Sequence, residues 1–179
     1  MKVYKITDEP SSEYESISPI YGTSKGMGCN LAWLKTLVIL KEKQVFPSLV
    51  LESDANQVRP LEKFDIPKDC DIVYYGVCKL DEDPENIWQE EYQEVDGYPH
   101  LVRLKRMATT HAVCFYNKSS VQAALEYTSA ALCNNILLDV VWAHELMPSF
   151  NVYALREPVF VQGVSRADNF YYKNTNILL

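Results

Sequence analysis

Glycine is scarce in this chain, with 6 in 179 residues. No Gly-x-x-x-x-Gly-Lys loop occurs, which argues against a P-loop phosphotransferase. Histidine is scarcer still: His100, His111 and His144 are the only three. None of them forms the His-x-x-x-His or His-x-x-Glu-His pair of a metallohydrolase. The five cysteines, Cys29, Cys70, Cys78, Cys114 and Cys133, form no Cys-x-x-Cys pair. An odd number at wide spacings is not a disulfide framework, and buried free thiols in a reducing, cytoplasmic compartment are expected. No apolar run is long enough to span a bilayer, and no secretory apolar region follows Met1. The net charge of −7 argues against a general nucleic-acid or anionic-membrane binder.

What is present suits one domain, residues 1–179, with a sizeable core: 47% of residues are hydrophobic. The 12 tyrosines can stack on sugars or nucleobases, and are equally at home in a core. Lys2 to Thr7 alternates and predicts a first strand. Asp8 to Ser18 is polar and predicts a loop, and Ser24 to Gly28 a tight glycine turn. Cys29 to Lys43 carries a helical stripe through Leu31, Leu34 and Val38, broadened by Trp33, Leu37 and Leu40. Gly28 ahead of that helix leaves room for a phosphate at its N-terminus, although such a turn is more often structural. Leu49 to Leu51 and Cys70 to Val77 predict buried strands. Lys79 to Gly97 is strongly acidic and predicts a solvated excursion. Leu101 to Met107 and His111 to Tyr116 predict two more strands. Asn117 predicts the cap of a helix running to about Cys133. A second helix is expected over Ile136 to Leu146, then short strands at Val152–Leu155 and Val159–Gln162. Helices and strands in this order predict an α/β sandwich around a mixed sheet.

The carboxylates at the ends of these elements are Glu52, Asp54, Asp139 and Asp168. Residues two apart on a strand share a face. Glu52 and Asp54, leaving a buried strand together, can hold one hard divalent cation through oxygen. The alternative is a solvated acidic turn. Asp139 sits among Leu137, Leu138, Val140, Val141 and Trp142. It is either a helix cap or a cleft residue whose partial burial suits it to general-base work. His111 reads either as a satisfied histidine near the core or as a site residue.

Taken in order, these segments resemble glycosyltransferase family 25, which includes lipopolysaccharide glycosyltransferases and collagen galactosyltransferases. Gly28-Cys29-Asn30-Leu31 resembles its Gly-Cys-x-Leu helix. Leu49-Val50-Leu51-Glu52-Ser53-Asp54-Ala55 is similar to its Leu-Glu-Asp-Asp-Ala metal motif. Asp71 to Gly76 resembles its next strand, and Thr110-His111-Ala112 its Thr-His-Ala segment. Leu138-Asp139-Val140, then Pro158 to Gln162 with Ser165 and Asp168, resemble its closing elements. Ser53 stands where the family has a carboxylate, and Ala32-Trp33 where it has Ser-His. The segment before the Gly-Cys helix is shorter than the family's.

The resemblance implies a GT-A-like α/β/α sandwich around a mixed, mostly parallel central sheet. It implies an inverting transferase that uses Mn²⁺ or Mg²⁺ and a nucleoside-diphosphate sugar, a UDP-sugar favoured, with a glycan or glycoprotein acceptor. Asp54 and Glu52 would hold the metal. Asp139 or Asp168 would act in catalysis, with Glu145 a further rival as base. Tyr75, Gly76, Thr110, His111 and Gln162 would bind substrate. A degenerate, non-catalytic binding domain and a nucleotide-sugar hydrolase remain as alternatives.

Overall fold

Short apolar runs separated by polar turns build most of the sheet, and one face of each long helix covers it. The computed structural model describes residues 1–22, 24–76, 91–107 and 109–163. In chain order these form β1 (Lys2–Ile6), β2 (Glu15–Ile17), α1 (Lys25–Lys43), β3 (Ser48–Leu51), β4 (Ala55–Gln57) and β5 (Ile72–Tyr74). Then come β6 (Glu91–Glu94), β7 (Leu101–Arg106), β8 (Ala112–Phe115), α2 (Lys118–Cys133) and α3 (Leu138–Val141). A π-helical turn (Trp142–Leu146) joins α3 to α4 (Met147–Ser149), and β9 (Val152–Leu155) and β10 (Phe160–Gln162) follow.

Eight strands form one sheet in the order β2-β1-β3-β8-β5-β9-β7-β6. Following the pairings across it, only β7 and β8 run against the other six. The fold is therefore α/β on a large, mostly parallel central sheet. Alternation along each strand sorts its side chains between two cores. Val50, Ile72 and Tyr74 face the helical layer, packing with Trp33 and Leu37 of α1 and Val121 and Ala124 of α2. Leu49, Leu51, Val73 and Tyr75 face the other way. Among the described residues no helix covers that second face. Leu61, Phe64 and Ile66 pack there, beside Phe160 of the small antiparallel sheet β4–β10.

Helix α1 begins earlier than its hydrophobic stripe suggests. Ser24 is its N-cap, its hydroxyl accepting from the Met27 N–H at 3.3 Å, so Lys25 to Gly28 are helix rather than turn. The glycines there serve close packing. A Cβ on Gly26 would lie 2.5 Å from Leu137 Cδ2, and one on Gly28 3.2 Å from the Ile20 carbonyl. The segment expected as a loop from Asp8 to Ser18 contains β2, which pairs in parallel with β1 and buries Ile17. Asn117 caps α2 as its sequence implies, accepting from the Ser120 N–H at 2.9 Å.

Asn30 ties α1 to the next helical segment. Its amide donates to the Ile136 carbonyl at 2.8 Å and accepts from the Leu138 N–H at 3.1 Å. That second bond satisfies a backbone donor at the start of α3, where Leu137 offers no side-chain cap. Asn30→Ala is expected to cost about 1–2 kcal/mol. Urea denaturation measures it, and an unchanged midpoint would show that the link is not needed.

Candidate functional site

Strand β3 ends at Leu51, and the next residue, Glu52, stands at the carboxyl edge of the parallel strands. Because β8 runs antiparallel to β3, its entry also reaches this edge, pairing Leu51 with Ala112. The Glu52 N–H donates to the His111 carbonyl and the Tyr75 N–H to the Ala112 carbonyl, both at 2.9 Å. Three remote stretches, 52–54, 75–76 and 109–111, are thereby knitted together. Open α/β sheets commonly bind ligands outside this edge.

The Glu52 side chain turns toward the helical layer. Its Oε1 accepts from Trp33 Nε1 at 2.7 Å and from Thr110 Oγ1 at 2.5 Å, with Cys29 Sγ 4.0 Å away. Burial pushes its pKa up to about 7, and the Asp54 and Asp139 charges add to the rise against the two hydrogen bonds. Among the described residues no cationic side chain contributes to this value. Burial also pushes the Cys29 thiol well up, with Glu52, Asp139 and Asp54 adding to it, so Cys29 is an inert thiol.

Asp54 lies in the turn between β3 and β4, on the side of the small sheet. Its Oδ2 accepts from Gln162 Nε2 at 3.1 Å, and its carbonyl from the Gly163 N–H at 2.7 Å. The strand does not continue through it, so strand alternation is not what relates Glu52 to Asp54. The two carboxylates are nevertheless within each other's field, and Asp139 shares it. Asp139 is half-buried in the first turn of α3. It accepts from the Val140 N–H at 2.8 Å, and burial raises its pKa.

The other expected site residues Thr110, His111, Gly76 and Tyr75 are all buried. Thr110 reaches Glu52 directly. His111 is fully buried, with Nδ1 2.7 Å from Thr109 Oγ1 and Nε2 3.4 Å from the Phe160 carbonyl. Burial lowers its pKa to about 4, so the ring is neutral at physiological pH. Gly76 packs on it: a Cβ there would lie 2.2 Å from His111 Nε2 and 2.4 Å from the Phe160 carbonyl. Tyr75 points to the second face, its hydroxyl 3.3 Å from that of Tyr116 and its ring edge-on to Phe64. Asp168 lies outside the described residues, as do Ser165 and Cys78.

Two aromatic residues at this site are not singled out by the motifs. Trp33 donates to Glu52, and a buried indole N–H, which needs an acceptor, is the signal for it. Tyr74 is fully buried, and its hydroxyl has no hydrogen-bond partner among the described residues. Burial raises its pKa, with the charges of Asp139 and Glu52 adding to the rise. Gly22-Thr23-Ser24-Lys25-Gly26 has the Gly-x-Ser-x-Gly spacing of an esterase nucleophile elbow. Ser24 is no elbow: its backbone is ordinary extended chain (φ −136°, ψ 162°) and its hydroxyl caps α1.

The donor set suits a hard cation in kind, being carboxylate oxygen. Among the described residues no group of three or more His, Cys, Asp or Glu is placed to hold a metal ion. The described chain therefore offers at most Glu52 and Asp54 as a pair. That is enough for Mg²⁺-type sites in which substrate phosphates and water complete the shell.

A carboxyl whose folded pKa lies above its unfolded value takes up a proton on folding. Its stabilisation is fully present below pH 4.5 and is lost as the pH rises through about 7. Glu52→Gln keeps an acceptor for Trp33 and Thr110 and removes the charge. Without divalent metal it is expected to be the more stable protein at pH 8, by on the order of 2–3 kcal/mol. It should match wild type near pH 4. Urea denaturation across this range checks it, and parallel curves for the two proteins would contradict it.

Among the described residues no helix is long and apolar enough to cross a membrane. No family model matches the sequence, and no curated protein matches it. Among solved structures, this chain is similar to the CTP:phosphocholine cytidylyltransferase from Streptococcus pneumoniae, at 16% identity and a TM-score of 0.37. The match covers 68% of this chain and 52% of that one, so the chain spans about half the length of that structure.

Proposed function

We propose that the protein is a metal-dependent, inverting glycosyltransferase that takes a sugar from a nucleoside-diphosphate donor, a UDP-sugar favoured, to a hydroxyl of a glycan or glycoprotein. The observation that carries this reading is the group Glu52, Asp54 and Asp139 at the carboxyl edge of the sheet. Burial raises the pKa of Glu52 and the charges of Asp54 and Asp139 add to the rise, with no cationic side chain among the described residues contributing. Asp54, steadied by Gln162, and Glu52, steadied by Trp33 and Thr110, would hold Mn²⁺ or Mg²⁺. The cation supplies positive charge to the departing diphosphate.

Asp139 is the base in this reading. Its raised pKa brings it nearer to neutrality than an ordinary aspartate, which suits proton uptake from an alcohol. The acceptor oxygen bonds to the anomeric carbon as the bond to the diphosphate oxygen breaks. The acceptor proton goes to the Asp139 carboxylate, and the bonding pair leaves with the nucleotide. Attack from the face opposite the leaving group inverts the anomeric centre. Asp168, placed by the motif alone, is the rival for the base.

The test is release of nucleoside diphosphate from UDP- and GDP-sugars with Mn²⁺, with and without glycan acceptors. Acceptor-dependent release supports transfer, and release indifferent to every acceptor supports hydrolysis. Metal-dependent binding with no release supports the non-catalytic reading. That reading is favoured by one observation, that Oε1 of Glu52 is already engaged by two protein donors.

A further inference from the structure

The hydrogen bonds to Glu52 are one-sided. Trp33 Nε1, Thr110 Oγ1 and, more distantly, Cys29 Sγ all approach Oε1. No donor among the described residues reaches Oε2. Two good hydrogen bonds fill the lone pairs of one carboxylate oxygen and fix the plane of the group. Both strong donors are neutral. An arginine or lysine would hold the carboxylate equally well, but it would compete with any cation for its charge. An indole and a hydroxyl hold it and leave the charge in place.

The holder is itself held. Trp33 is fully buried and meets Trp142 edge-on, with ring centroids 5.0 Å apart and an interplanar angle of 73°. Trp142 donates to Thr128 Oγ1 at 3.1 Å and packs edge-on against Phe115 at 6.0 Å. The Thr128 hydroxyl donates in turn to the Ala124 carbonyl within α2 at 2.7 Å. A continuous packed line therefore runs from the middle of α2 through two indoles to one carboxylate oxygen. Phenylalanine at position 33 would fill most of the same space. What it would lack is the N–H, whose acceptor is Glu52.

We propose that Trp33 and Thr110 are positioning residues that lock Glu52 by Oε1, so that Oε2 alone is presented to a divalent cation bound with a nucleoside diphosphate. This rests on the function proposed above; it adds Trp33, which no motif assigns to it, and gives Thr110 a positioning role rather than contact with substrate. Groups that orient a ligand through hydrogen bonds change metal affinity by about 10–100-fold when removed. Trp33→Phe and Thr110→Val should each weaken Mn²⁺-dependent binding of UDP by that factor. Thr110→Ser, which keeps the hydroxyl, should bind as wild type does. In a Glu52→Gln background, Trp33→Phe should add nothing further, because its effect passes through that carboxylate.

The experiment is calorimetric titration of UDP into each protein with MnCl₂ and with EDTA, after thermal unfolding has shown which variants fold. A second readout needs no bound metal. The indole ¹H–¹⁵N signal assigned to Trp33 by its loss in Trp33→Phe should move in Glu52→Gln, while that of Trp142, bonded to Thr128, stays in place. If wild type binds Mn²⁺·UDP and both Trp33→Phe and Thr110→Val bind equally well, the positioning role is overturned and the functional reading stands. If wild type shows no Mn²⁺-dependent binding, the functional reading fails and the line of indoles is core packing alone. Should Trp33→Phe not fold, Thr110→Val against Thr110→Ser decides the question.

Discussion

Asp54→Ala is expected to abolish Mn²⁺-dependent binding of UDP-sugars, a loss beyond the about 10–100-fold caused by removing a group that only orients a ligand. The fold should survive the change. The Asp54 Oδ2 accepts from half-buried Gln162 at 3.1 Å, while the carbonyl that anchors Gly163 belongs to the backbone and stays. The substitution should also relieve Glu52, because the Asp54 charge is the second-largest cause of its raised pKa, after burial. Asp54→Ala should therefore lower the Glu52 pKa while removing metal-dependent binding, a pairing that general damage to the edge would not produce. Calorimetry with and without MnCl₂ reads the first effect, and retained metal-dependent binding would mean that the metal site is misassigned. Side-chain carboxyl NMR reads the second.

Asp139→Asn should leave donor binding intact and reduce turnover by about 10²–10⁴, the range expected when a general base is lost. Asparagine keeps an oxygen for the Val140 N–H, so the first turn of α3 retains its local bond. It cannot take the acceptor proton. Removing a buried charge should also spare stability, since desolvation is what raises this carboxyl's pKa. Steady-state kinetics on Asp139→Asn and Asp168→Asn together identify the base. Normal turnover in Asp139→Asn would remove it from that role, and loss confined to Asp168→Asn would give the role to Asp168.

The long periodic elements were legible from residues alone because they bury whole faces. Helix α1 was legible as a helix, but its buried face is Ala32, Trp33, Leu37 and Leu40; of the stripe Leu31, Leu34 and Val38, the first two are half-buried and Val38 is exposed. Strands β3, β5, β8 and β9 show continuous or alternating apolar runs. Strands β2, β4 and β6 did not show. The first two are three residues long and bury a single apolar side chain each, Ile17 or Ala55. Strand β6 is an edge strand with residues 92–94 exposed, inside the acidic stretch expected as a solvated excursion. Pairing with a neighbour defines all three, and periodicity cannot. The start of α1 was hidden by Gly26 and Gly28, which read as a turn. The Ser24 cap and the close approach of Leu137 and Ile20 explain why a helix tolerates them.

At the site, the carboxylates were visible as residue types, but their relation was not. Alternation would have placed Glu52 and Asp54 side by side on one strand. The chain turns after Leu51, sending one carboxylate to Trp33 and Thr110 and the other to Gln162. Contacts such as Trp33 to Glu52, 19 residues apart, and Thr110 to Glu52, 58 apart, arise from strand order and helix packing, which no local pattern encodes. His111 shows the same limit. Its neighbours Thr109 and Gly76 and the Phe160 carbonyl make it a buried neutral brace beneath the edge.

In the proposed function, Glu52 and Asp54 bind a nucleoside diphosphate through a divalent cation. Titration of UDP into the wild-type protein by calorimetry, in MnCl₂ and again in EDTA, tests it most directly. Saturable binding with manganese, lost in EDTA, is the expected result. Equal heats under the two conditions, or no binding of UDP in either, would contradict it.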